Sequence, residues 1–134
     1  MFKGDIMRYP LGNYTDVTSK TGKRLSEINL EAVSRGEITS DDIKISKDTL
    51  LLQGQVARDN GRTHLGQNFE RASELVDIPD ELLMEIYGKL RPYRATKSEL
   101  NSIADMLQKK YGAKQCAKLV LDAAATYEKR GILK

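Results

Sequence analysis

The chain has 134 residues, with 22 Lys or Arg against 19 Asp or Glu, one histidine, one cysteine and a formal net charge of +3. A single cysteine excludes an internal disulfide, and no uninterrupted apolar run approaches the roughly 18 residues of a membrane helix. Leu, Ile, Val and Phe supply 32 of the 134 residues, above the ~20% floor below which charged chains stay disordered, so one folded domain is expected.

Charge is unevenly placed. Residues 1–25 carry Lys3, Arg8, Lys20, Lys23 and Arg24 against Asp5 and Asp16, and the remainder balances acid with base. A nucleic-acid binder concentrates cations more strongly, because each neutralised phosphate needs its own. The opening MFKGDIMRYPLGNY has no apolar stretch of the secretory kind, so a cytoplasmic location is expected.

Residues 1–25 show no helical period, and Pro10, Gly12 and Gly22 would interrupt a helix. Met7, Tyr9 and Leu11 alternate as in an extended strip, which is unstable as a sheet by itself. Ordering such a segment costs roughly 1–2 kcal/mol per residue in backbone entropy. An arm over 1–25, ordered mainly by a partner surface and offering Tyr9 and Leu11 to it, is therefore expected ahead of a helical domain over 26–134.

The helices follow in order. Asn29 caps a short one ending at Gly36, with Leu30 and Val33 inward. Ser46 caps a longer one ending near Gly61, with Leu50, Leu51, Gly54 and Ala57 on one face. Thr63 opens a third, whose stripe is Leu65, Phe69, Ala72 and Val76. Pro79 suits the first turn of a fourth, with Asp80 and Glu81 at its positive end and Leu83, Ile86, Tyr87 and Leu90 inward; Pro92 stops it. Thr96 and Glu99 form a capping box for a fifth, which buries Leu100, Ile103, Ala104, Leu107 and Tyr111 and ends at Gly112. A sixth, near Ala113 to Arg130, buries Ala117, Val120, Ala124 and Tyr127, with Gly131 behind it. The class is all-α, a small domain of five to six helices behind an extended N-terminal arm.

No catalytic, cofactor-binding or metal-ligating residue is assigned. His64 and Cys116 stand far apart on different predicted helices, where zinc needs three or four convergent ligands and a thiol nucleophile needs a base. Cys116 reads as core and His64 as a first-turn surface residue. Asp41/Asp42 and Asp80/Glu81 sit at helix starts, where the dipole accounts for them. The segment YGKLRPYRATK, Tyr87 to Lys97, holds four basic groups, two tyrosines and no acid. It could bind nucleic acid by stacking and phosphate contact, which is the rival functional reading. It could equally close a helix with dipole-complementing cations, or anchor a protein interface, with Arg91, Tyr93 and Arg94 presented by a Pro-stiffened turn.

The runs NFERASELVDIPD from Asn68, EIYGKLRPYR from Glu85 and ELNSIADML from Glu99, with Tyr9-Pro10-Leu11, Thr21-Gly22-Lys23, Ile45-Ser46 and Thr49-Leu50 in the same order, resemble the small (gamma) subunit of adenosylcobalamin-dependent diol and glycerol dehydratases. The similarity runs from about residue 9 to 130. It implies an assembly with large and medium subunits, in paired copies of each, that removes water from a 1,2-diol to give an aldehyde. It also implies a large TIM-barrel subunit holding substrate and a metal ion, and adenosylcobalamin held between large and medium subunits. The helical small subunit would pack on the side of the large one, away from the cofactor. Tyr9-Pro10-Leu11 standing so near the start is more like the glycerol than the microcompartment diol type. The resemblance implies glycerol or propane-1,2-diol as substrate, and the cytoplasm or a bacterial microcompartment within it as location.

Overall fold

The computed structural model describes residues 6–11 and 17–134, and all statements below concern these. Six α-helices appear: α1 Leu30–Ser34, α2 Lys47–Asp59, α3 Thr63–Leu75, α4 Asp80–Lys89, α5 Lys97–Tyr111 and α6 Lys114–Arg130. Among the described residues there is no strand, only the isolated bridges Thr18–Arg24 and Ser19–Ile45. The residues group into two compact units that meet between Ser73 and Glu74, inside α3.

In the first unit, local capping chemistry sets the helix starts. Asn29 accepts the Ala32 N–H at 2.9 Å and opens α1, and Ser46 accepts the Thr49 N–H at 3.1 Å and opens α2. Gly36 and Gly61 follow those helices with positive φ, the conformation expected behind a helix end. The Ser40–Ile43 segment makes one 3₁₀ turn, in which the Asp42 carboxylate accepts the Thr39 N–H at 2.7 Å. The Thr21 hydroxyl also donates to Asp42 at 2.6 Å. These bonds, the Thr21 hydroxyl above all, hold the Asp42 carboxyl below its ordinary pKa.

Helices α2 and α3 meet through glycines. A Cβ on Gly54 would lie 3.3 Å from the Gly66 carbonyl oxygen, and one on Gly66 would lie 3.1 Å from the Gly54 carbonyl oxygen. That approach turns the Gly66–Ser73 row of α3 inward. The expected stripe is displaced accordingly: Leu65 is exposed, and Phe69 and Ala72 are only half-buried. In α2, Leu50, Gly54 and Ala57 are buried as expected, whereas Leu51 is exposed.

Helix α1 is the clearest departure. Ala32 is its buried residue, while Leu30 is 77% and Val33 51% exposed. Periodicity located an apolar face, but the side turned inward is the one carrying the small Ala32 side chain. The strip also differs from simple alternation. Met7 and Leu11 are buried, but the chain bends at Tyr9 and leaves it 87% exposed. The strip is tied to the end of α2 by Met7 N–H donating to Asp59 at 2.9 Å and by Asn60 donating to the Met7 carbonyl at 2.9 Å.

The second unit has the denser core. Leu100, Ala104 and Leu107 of α5 face Cys116, Ala117, Val120 and Ala124 of α6, with Ile78, Ile86 and Ala95 closing the cluster. The Thr96–Glu99 capping box forms as expected, and Gly112 and Gly131 end α5 and α6 in the left-handed conformation. Only the link Gly112-Ala113 separates α5 from α6, so the two pair as a helical hairpin. Helix α6 has no side-chain cap of its own. Instead the Glu74 carboxylate accepts the N–H groups of Gln115 at 3.0 Å and Cys116 at 2.8 Å. In α4, Leu82 packs against the core, and Tyr87, expected inward, is 55% exposed.

Candidate functional site

The surface with the most specific chemistry lies on α4 and the turn behind it. Residues at i, i+3 and i+4 share one helix face, which on α4 gives Met84, Tyr87 and Gly88, and Arg91 follows just past the helix end. Met84 is 69% exposed, opposite the buried Ile86. The turn Leu90 to Ala95 continues this face with Tyr93, 64% exposed, and exposed Arg94. A shallow hollow of about 350 Å³ is lined by Glu85, Gly88, Lys89, Arg91 and Arg94.

The turn is held on three sides. The Tyr127 hydroxyl donates to the Leu90 carbonyl at 2.6 Å, Tyr93 N–H to the Ile132 carbonyl at 2.7 Å, and Lys134 N–H to the Ala95 carbonyl at 3.0 Å. Tyr93 adopts φ 61°, a left-handed conformation that costs on the order of 1 kcal/mol in a residue with a Cβ. The bond to Ile132 fixes it there, so the side chain projects outward from a stiff backbone. Proline was expected to supply that rigidity; the chain's last residues supply much of it.

The basic character of the segment is smaller than the sequence suggests. Lys89 pairs with Glu99 at 2.8 Å, and Lys97 pairs with Glu128 at 2.6 Å. The Lys89 ammonium first, and then the Thr96 N–H, pull the Glu99 carboxyl down to about 2. Arg91 and Arg94 have no carboxylate partner among the described residues. Two committed lysines leave two arginines, too few for a phosphate-tracking strip.

The remaining expected contact residues are in the first unit, where Tyr9 and Leu11 stand on the strip. Tyr9 faces outward, and Leu11 is covered by its own unit. Both line a groove of about 920 Å³ whose apolar floor includes Val56, Leu65 and Phe69 and whose polar lining includes Arg8, Gln53 and Arg62. Sequence reasoning missed Met84 and Gly88, although their spacing to Tyr87 was readable as a second stripe on α4.

Catalytic groups do not converge on either surface. His64 is exposed in the first turn of α3, and Cys116 is buried in the second unit. Among the described residues no group of three or more His, Cys, Asp or Glu could hold a metal ion, and no helix is long and apolar enough to cross a membrane.

Exposed aromatic, aliphatic and guanidinium groups on braced helical backbone are the kind of groups that protein contacts use. The chain belongs to the dehydratase small subunit family, which it matches over residues 5–134. It is 48% identical over 131 residues to the propanediol dehydratase small subunit of Citrobacter freundii, covering 96% of this chain and 76% of that one. To the propanediol dehydratase small subunit of Salmonella typhimurium strain LT2 it is 47% identical over the same coverage.

Proposed function

We propose that this chain is the non-catalytic small subunit of an adenosylcobalamin-dependent dehydratase that converts a 1,2-diol, propane-1,2-diol or glycerol, to an aldehyde. Its partners in this reading are a large catalytic and a medium subunit in the cytoplasm, and it seats against the large one. The observation that carries the proposal is similarity over 96% of this chain to two propanediol dehydratase small subunits, in a chain whose exposed groups suit protein contact rather than chemistry.

Adenosylcobalamin supplies radical chemistry in such an assembly, but the donor set here does not fit that group. The sole imidazole, His64, is a surface residue outside the lining of the large groove. We place the cofactor and the substrate on the other subunits and assign this chain no step.

Tyr9, Arg91, Tyr93 and Arg94 are the proposed partner contacts, and Leu11 anchors the strip beneath Tyr9. Residues 1–25 are proposed to act as an arm whose outer side is completed by a neighbouring subunit, beside a helical domain over 26–134. Trypsin should cut at exposed Lys20 or Arg24 in the free chain, and the assembly should protect both bonds.

The test is spectral titration of the purified chain with cobalamin, together with a dehydratase assay on the chain alone. Neither binding nor turnover is expected. Tight cobalamin binding by the isolated chain would overturn the assignment.

A further inference from the structure

Gly88 has no visible reason to be glycine within this chain. It lies inside α4 with a helical backbone, unlike the five glycines of positive φ. A Cβ placed on it meets no heavy atom within 4 Å. Glycine is the costliest residue in a helix after proline, and here neither a turn nor a close internal contact offsets that cost. Gly54 and Gly66 show the contrast, since each has a carbonyl oxygen of the other helix close to its missing side chain.

Gly88 also sits centrally on the outward face. Met84 and Tyr87 flank it, both exposed, and Arg91 and Arg94 stand beyond it. A notch between large exposed side chains is the shape that admits a crossing helix at short range. The charges around the notch indicate what crosses. Glu81 stands at the start of α4, Glu85 lines the same hollow as Gly88 and the two arginines, and Lys89 is engaged by Glu99. Arg91 and Arg94 are without carboxylate partners among the described residues, so the end of the face beyond Gly88 calls for acid.

We propose that this face, notched at Gly88, is the seat for a helix of the large dehydratase subunit that carries small residues at the crossing and carboxylates opposite Arg91 and Arg94. This rests on the small-subunit reading above and assigns it a surface. Gly88 acts by leaving room, and the arginines act by pairing with charge.

The experiment compares wild type, Gly88→Ala, Gly88→Leu and the double variant Arg91→Glu/Arg94→Glu, each as the full chain mixed with the large and medium subunits. Free-chain melting by circular dichroism is read beside sedimentation of the mixtures. Ala and Leu are good helix formers and have open space at this position, so both free variants should melt at or above the wild-type temperature. Assembly should nevertheless weaken, at least tenfold for Gly88→Leu and less for Gly88→Ala. The charge-reversed variant should also assemble at least tenfold more weakly, with a defect larger at low than at high salt. Wild-type affinity in Gly88→Leu would overturn the seat, and wild-type affinity in the double variant would overturn its acidic partner. Failure of the wild-type chain itself to join those subunits would overturn the small-subunit reading and this inference together.

Discussion

Replacing Glu74 should unfasten α6. The helix begins after Ala113, which has no side chain able to cap it, and Glu74 accepts the N–H groups of Gln115 and Cys116 at 3.0 and 2.8 Å. These are the amides an N-cap residue ordinarily serves. Loss of a cap costs about 0.5–2 kcal/mol, and hydrogen bonds to a charged group contribute about 1.5–3 kcal/mol each when well shielded. Glu74 is half-buried, so we take about 2 kcal/mol for Glu74→Ala, within the capping range. Glu74→Gln keeps one acceptor oxygen and loses the charge, which should cost about half as much. For a chain of this size about 2 kcal/mol lowers the melting temperature by roughly 8 °C. Urea unfolding followed by circular dichroism, with unchanged slope, gives the stability difference directly. A change below about 0.5 kcal/mol in Glu74→Ala, the range of an ordinary surface substitution, would show that α6 starts without this carboxylate.

Gly66→Ala should destabilise by about 1 kcal/mol, because overpacking at about 1–3 kcal/mol exceeds the gain of about 1 kcal/mol in helix propensity. The new Cβ would lie 2.8 Å from Arg58 Cγ and 3.1 Å from the Gly54 carbonyl oxygen, and Arg58 is held by Glu70; urea midpoints read the loss. Glu99 should shape the acid limb of stability. Its folded pKa of about 2 lies below the ordinary 4.5, so its contribution is complete above pH 4.5 and is lost as pH falls toward 2. Urea midpoints of Glu99→Gln should therefore decline less than those of the wild type across that window, and parallel curves would contradict it.

Helix boundaries were legible because they are decided within one turn of chain. Asn29, Ser46 and the Thr96–Glu99 pair cap the nearest amides, and Gly112 and Gly131 take the left-handed positions behind α5 and α6. Facing was less legible, since a period fixes which residues share a side but not which side turns inward. Leu30 and Val33 share a face of α1, and that face is exposed; Tyr87 likewise left the expected stripe of α4 for the outer one. Contacts remote in sequence were not legible at all. Nothing near Glu74 announces a cap for α6, and nothing near Tyr93 announces its bond to Ile132. The candidate surface was readable as chemistry, in two tyrosines and four basic groups. Its presentation was not, because Glu99 and Glu128 withdraw two of those cations and the last residues of the chain brace the turn.

The small-subunit reading is tested most directly by co-expressing this chain, tagged, with large and medium dehydratase subunits and measuring the native mass and composition of what is captured. The expected result is one stable assembly containing all three chains in equal amounts, with diol dehydratase activity when adenosylcobalamin is added. Capture of this chain alone, while the other two assemble and turn over without it at the full rate, would contradict it.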